Sequence, residues 1–134
     1  RFFFFFCDWI EYFLTMEDKF DRTIFSLLRF RIPSIFISWE SSESKEIYEL
    51  LPELKNSSLI REIHTFWDQL NVWESWSNFW QHIWFWKILI SEAERLSKEE
   101  HNIDKIAVIA WVWVRWYYEK RWYILQWEYM VKKL

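Results

Sequence analysis

Along the chain, apolar and polar residues change rhythm several times, and each change marks an element. Glu11 to Glu17 (EYFLTME) and Thr23 to Arg31 (TIFSLLRFR) read as short strands joined by the polar DKFDR turn, with Pro33 ending the second. That pattern predicts a hairpin. The polar run SWESSESKEIYELLPELKNSS that follows reads as a surface excursion, with a short helix around Glu46 to Leu51 and a breaker at Pro52. Ser58 to Phe66 (SLIREIHTF) alternates and predicts a strand with one buried face, and Trp67 to Asn78 reads as a loop. Gln81 to His101 (QHIWFWKILISEAERLSKEEH) is amphipathic at helical spacing. Phe85, Ile88, Leu89, Ala93 and Leu96 form its apolar side, and Glu92, Glu94, Lys98 and Glu99 turn outward. His101 and Asn102 supply its stop, with His101 placed to interact with the helix dipole.

Beyond that helix, Lys105 to Ala110 (KIAVIA) is continuously apolar, the pattern of a strand covered on both faces. Its position after a helix predicts a parallel crossover. Val114 to Arg121 forms a short helix, and Tyr123 to Gln126 with Tyr129 to Lys132 a last pair of strands. The 134 residues suit one domain with a real core, and neither a repeat nor a domain boundary is evident. The fold class expected is mixed α/β.

Composition narrows the chemistry. A formal charge of -3, with 28% charged residues, lacks the basic footprint common to nucleic-acid-binding domains, so any RNA contact is local or made outside this chain. Cys7 is the single cysteine, which excludes an internal disulfide and a cysteine metal site and points to a reducing, cytoplasmic setting. The opening RFFFFFCDWIEYFL is interrupted by Asp8 and Glu11 and lacks a cleavage site, so neither a signal peptide nor a membrane span is expected. Phe2 to Phe6 matches no functional element; as a strand it is an aggregation hazard. The chain contains 13 tryptophans and no glycine, whereas globular chains average roughly 7% glycine.

Several words of the sequence are familiar in order. EYFLTMED, LLRFRIPS, LIREIHTF, QH opening a helix, SEAERLSKEEH, KIAVIA, VRWYYEKR and EYMVKKL resemble the acetyltransferase (GNAT-like) domain of Elongator-type catalytic subunits, the radical-SAM enzymes that modify tRNA uridine. The resemblance covers nearly everything after Asp8, least well from Ser34 to Ser57. It implies a GNAT-like fold, a central mixed β-sheet flanked by helices, filling residues 1-134 as a fragment of a larger enzyme. It also implies acetyl-CoA as cofactor, with S-adenosylmethionine and an iron-sulfur cluster in the missing part. The partners implied are tRNA, a radical-SAM domain in cis and other Elongator subunits, with no membrane.

In such proteins the helix opens on Gln-His-x-Gly-x-Gly, here Gln81, His82, Ile83, Trp84, Phe85 and Trp86. Trp111 and Trp113 replace two further glycines, and Trp9, Trp67, Trp73, Trp76, Trp122 and Trp127 also stand at glycine positions. A diphosphate rests on bare backbone amides at a helix N-terminus, which a bulky Cβ substituent obstructs. Where such a site needs positive φ, a non-glycine residue costs about 1 to 2 kcal/mol. Either the tryptophan letters misreport the side chains, as in a recoded sequence, or the chain is a variant that must distort.

The resemblance places Gln81, His82, Ile83, Trp84, Phe85, Trp86 and Lys87 at the cofactor. Gln81 and His82 equally suit helix N-terminal hydrogen bonding, and Lys87 a solvated helix position. It places Tyr117 and Tyr118 near the thioester as acid or orienter; on pattern alone, adjacent tyrosines give one buried and one exposed ring. Glu62 and His64, on one face of their strand, are candidates to polarise the acetyl group or a water, or are structural. Arg29, Arg31, Arg61, Arg115, Lys120, Arg121, Lys132 and Lys133 are candidate phosphate contacts or scattered surface cations. No metal site is expected. The alternative function is a non-catalytic module whose loop is plugged by Trp84 and Trp86 and which docks tRNA or protein.

Overall fold

The computed structural model describes residues 2–6, 9–20, 22–33, 49–66 and 75–134, without the side chains of 2–6 and 75–83. Strands β1 (Phe2–Phe6), β2 (Trp9–Glu17), β3 (Ile24–Pro33), β4 (Ser58–Thr65), β5 (Lys105–Ile109), β6 (Ile124–Gln126) and β7 (Tyr129–Lys133) form one sheet in the order β1-β2-β3-β4-β5-β7-β6. The β4–β5 pair is parallel and every other pair antiparallel, as the crossover predicts. Helix α1 (Ser75–Arg95) lies between β4 and β5 in the chain, and the short α2 (Arg115–Glu119) follows β5. The mixed sheet with flanking helices is the architecture expected. No helix of the described residues is long and apolar enough to cross a membrane.

Period-two geometry sorts β3 cleanly. Ser26, Leu28, Phe30 and Ile32 are buried, whereas Arg29 and Arg31 face the other side. α1 packs across β2, β3 and β4, and its Leu89, Ile90 and Ala93, with Leu96 just beyond its end, meet Tyr12, Leu14, Leu28, Phe30 and Ile60 in one core. Removing each such large aliphatic side chain from water contributes about 1.5 to 3 kcal/mol. Beneath the parallel pair, the hydroxyls of Ser58 and Ser97 lie 2.8 Å apart, and Ser97 also donates to the Ala93 carbonyl, so neither buried hydroxyl lacks a partner.

Several expectations are corrected. The helix expected to open at Gln81 begins at Ser75, which puts Trp84 and Trp86 in its interior rather than its first turn. Glu94, expected to turn outward, is pulled inward because the Tyr123 hydroxyl donates to it at 2.9 Å and Lys132 contacts its other oxygen at 2.9 Å. The His101 ring meets the Tyr12 hydroxyl at 2.7 Å, tying the end of the helical segment to β2, and Asn102 at φ 53° completes the expected stop. The all-phenylalanine run pairs with β2 as an edge strand, Phe2 opposite Phe13 and Phe6 opposite Trp9. Most of the helix expected at Glu46 to Leu51, together with Cys7, Trp67 and Trp73, lies outside the described residues.

Left-handed backbone occurs at Arg22, Asn56, Asn102, Trp122 (φ 68°) and Trp127 (φ 56°). Of the tryptophans set at glycine positions, Trp111 is extended at φ -57° and ψ 147°, and Trp84 and Trp86 are helical.

Candidate functional site

The site follows from how β4 and β5 part. They pair only through Ser58 and Ile106, Leu59 and Ala107, and Ile60 and Val108. β4 then runs on to Thr65 bonded to β3 alone, while β5 stops at Ile109 and the chain turns into α2. Beyond Ile60 and Val108 the two strands are therefore no longer paired, which leaves an opening in the hydrogen-bond ladder between the end of β4 and the head of α2.

Aromatic rings bridge that opening. The Trp86 indole Nε1 donates to the Thr65 Oγ1 of β4 at 3.1 Å, and its ring meets Tyr117 of α2 edge-on at 5.8 Å between centroids. Tyr117 in turn meets Tyr118 at 5.5 Å, and Tyr118 meets Tyr123 at 5.3 Å. The contacts run from β4 to the Glu94 carboxylate of α1, which also receives Lys132 and lies 3.8 Å from Arg121. The pattern expectation of one buried and one exposed tyrosine gives way to two buried rings, because α2 presses both inward.

Burial sets the chemistry of these phenols. Desolvation, opposed by the nearby Arg121, raises the Tyr117 pKa above its ordinary value. Burial also raises Tyr118, with Tyr117 as a second cause. Both keep their protons at neutral pH, so each phenol is available to donate a hydrogen bond. Only Tyr117 also borders Trp86 and the opening; Tyr118 packs toward Tyr123 and the interior.

The other sequence candidates divide. Glu62 and His64 do share a face, with His64 Nε2 3.4 Å from Glu62 Oε2, but it is the sheet face opposite Thr65 and α1. They are not brought together with the tyrosines. Gln81, His82 and Ile83 contribute only helical backbone, their side chains lying outside the described set. Trp84 is exposed and tilts on Phe85 at 5.6 Å, Phe85 stacks on Phe25 at 6.2 Å, and Lys87 is exposed. Among the described residues no group of three His, Cys, Asp or Glu is placed to hold a metal.

On that opposite face Glu11 is almost fully buried beneath three arginines. Its Oε1 lies 3.3 Å from Arg29 Nε and 3.4 Å from Arg61 Nη1, and its Oε2 lies 3.1 Å from Arg31 Nε. Arg29 Nε is also 3.1 Å from Glu62, yet makes no aligned hydrogen bond, so its attraction is electrostatic. Five of the candidate phosphate cations, Arg29, Arg31, Arg61, Arg121 and Lys132, thus meet carboxylates of the chain itself. Sequence reasoning missed the Glu11 cluster and the Glu94 group. The signal for Glu94 was its spacing of four from buried Ile90.

From the fifth residue of an α-helix onward each backbone N–H is bonded within the helix, so the amides of 81–86 are already used inside Ser75–Arg95. With Trp86 also across the opening, residues 84 and 86 as they stand do not suit a diphosphate.

No family profile matches the chain. It is 38% identical over 124 residues to Elongator complex protein 3 of Bos taurus and 34% identical over 124 residues to that of Saccharomyces cerevisiae, each match covering 92% of this chain and 21% of the relative. That of Dictyostelium discoideum is 36% identical over 125 residues. The chain spans about a fifth of the length of these curated relatives. Among solved structures, the archaeal Methanocaldococcus infernus Elp3 with an N-terminal deletion superposes at a TM-score of 0.67 with 29% identity, covering 95% of this chain and 27% of that one.

Proposed function

Because the chain is homologous to one segment of Elongator complex protein 3, we propose that it is the acetyl-CoA-binding and -hydrolysing domain of an Elongator-type enzyme that carboxymethylates the wobble uridine of tRNA. The observation that carries this reading is the parallel β4–β5 pair that comes unpaired beyond Ile60 and Val108 beside Tyr117. An opening between parted strands admits an extended arm whose amides bond to a free strand edge. Tyr117 is the proposed contact for the acyl end, with Tyr118 holding it from the interior.

The rest of the reaction lies elsewhere in this reading. The radical-SAM domain in cis, with S-adenosylmethionine and an iron-sulfur cluster, belongs to the portion of the enzyme that this chain does not span. tRNA and other Elongator subunits are its proposed partners, and the cytoplasm its proposed location. Since so many of the domain's own arginines are engaged by carboxylates, tRNA contacts belong mainly to the full enzyme.

A second reading is favoured by the Trp86 indole across the opening: a module of the same ancestry that binds no acetyl-CoA and serves only in docking. Calorimetric titration with a stable acetyl-CoA analogue separates the two, using the chain and its Trp84→Gly/Trp86→Gly form. Micromolar binding by the chain itself supports the first reading. Binding by the double variant alone supports the second, and binding by neither removes acetyl-CoA from this fold.

A further inference from the structure

The misfit at 84 and 86 has a companion at the other end of the chain. After α2 the Tyr123 N–H donates to the Tyr118 carbonyl at 3.1 Å and the Trp122 N–H to the Glu119 carbonyl at 3.0 Å. These paired bonds are the Schellman closure of a helix, in which the residue before the last donor takes the left-handed conformation. That residue is Trp122, at φ 68°. The apolar contact that accompanies the motif is present too, with the Tyr118 and Tyr123 rings 5.3 Å apart. Only the glycine usual at that position is missing.

A second turn repeats the anomaly. β6 and β7 are joined by Trp127 and Glu128 alone, since Gln126 pairs with Tyr129. Trp127 has φ 56°, and Glu128 is not among the residues of positive φ. A two-residue hairpin with positive φ at its first central position only is the type II′ turn, and that position takes glycine. For a side chain as bulky as tryptophan, left-handed backbone is a genuine outlier.

Burial points the same way. Of the eight tryptophans with described side chains, Trp84, Trp111, Trp113, Trp116, Trp122 and Trp127 are exposed, Trp9 and Trp86 are half-buried and none is buried. Tyr12, Tyr117, Tyr118 and Tyr123, by contrast, are all buried. Tryptophan is highly buried on average, so a chain that buries these four tyrosines and exposes most of its described indoles has the indoles where the fold provides no space. Trp122 is 83% exposed and Trp127 72% exposed.

We propose that positions 122 and 127 are glycine in the polypeptide made by the source cell, the tryptophan at each reflecting a codon that different genetic codes read differently. The same reassignment accounts for Trp84, Trp86, Trp111 and Trp113, and for a chain of 134 residues with 13 tryptophans and no glycine. Glycine at 84 and 86 weakens the helix locally, so α1 starts later and the amides there become free for an anion. This consequence deepens the acetyl-CoA reading; the assignment at 122 and 127 rests on turn geometry alone.

Peptide mass spectrometry of the natural protein from its source cells tests the assignment. Peptides spanning 116–134 are expected to carry glycine masses at 122 and 127, and tryptophan masses there overturn the proposal. Recombinant chains give an independent readout: Trp122→Gly/Trp127→Gly is expected to melt at least about 4 °C above the parent sequence. An equal or lower melting temperature contradicts the proposal. Neither measurement involves acetyl-CoA, so glycine masses without ligand binding would refute the ligand reading alone.

Discussion

Trp86 and Thr65 are joined across the opening between β4 and α2 by a 3.1 Å hydrogen bond from the indole Nε1 to the threonine Oγ1. The contact closes the opening, because the same indole rests on Tyr117 of the facing short helix. Replacing Thr65→Val removes the acceptor while keeping the shape, and the expected loss is about 1 kcal/mol of unfolding free energy. In a Trp86→Phe background the same substitution is expected to cost less, the remainder being the 3.3 Å contact between the Thr65 and Ser26 hydroxyls. Urea unfolding of the four proteins of that cycle checks the coupling.

Glu94 holds the C-terminal hairpin to α1 through Tyr123 and Lys132. In Glu94→Ala the Tyr123 hydroxyl loses its acceptor and the Lys132 ammonium its counter-charge. The expected cost is about 2 to 3 kcal/mol. Tyr123→Phe is expected to be milder, since no buried hydroxyl is then left unpaired. Chemical denaturation of both variants gives the ranking, and equal losses would show that the carboxylate matters only through the tyrosine.

Glu11 neutralises Arg29, Arg31 and Arg61 on the sheet face away from α1. Glu11→Ala leaves three partly exposed cations crowded without their common partner, with an expected loss of about 1 to 3 kcal/mol because the guanidiniums can regain water. Arg31→Ala should cost much less, because two guanidiniums still face the carboxylate. Thermal unfolding at low and high salt checks this, and salt should narrow the difference by screening the repulsion in Glu11→Ala.

Tyr117, Tyr118 and Tyr123 all have pKa values raised above 10, in each case chiefly by burial. Between the unfolded value and the raised folded values the native state binds more protons than the unfolded state, so stability falls as pH rises. The stabilisation is fully present below about pH 10 and is lost progressively above it. Urea midpoints followed from neutral to alkaline pH should stay level and then drop. Tyr118→Phe is expected to flatten the drop, and an unchanged slope would remove Tyr118 from its cause.

How much of this was legible in the sequence varied with the kind of signal. The hairpin of β2 and β3, the crossover to β5 and the terminal strands follow from alternation, a continuous apolar run and turn residues. The start of α1 did not. Ser75 to Asn78 reads as loop from its serine and asparagine, yet it is helical, and tertiary context routinely overrides so short a propensity signal. β1 was opaque because five identical phenylalanines carry no period. Of the site, the neighbourhood of Tyr117 and Tyr118 was readable through resemblance. The assignment of Tyr117 to the opening and Tyr118 to the interior needed the packing of Trp86 and Tyr123. Glu62 and His64 share a face as period two requires, but alternation alone cannot say which face looks toward α1.

Titration with a stable acetyl-CoA analogue bears most directly on the claim that the opening between β4 and β5 is an acyl-carrier site. The chain itself should bind it saturably in the micromolar range, and the Trp84→Gly/Trp86→Gly form at least tenfold more tightly. Absence of binding by both folded proteins would contradict that claim.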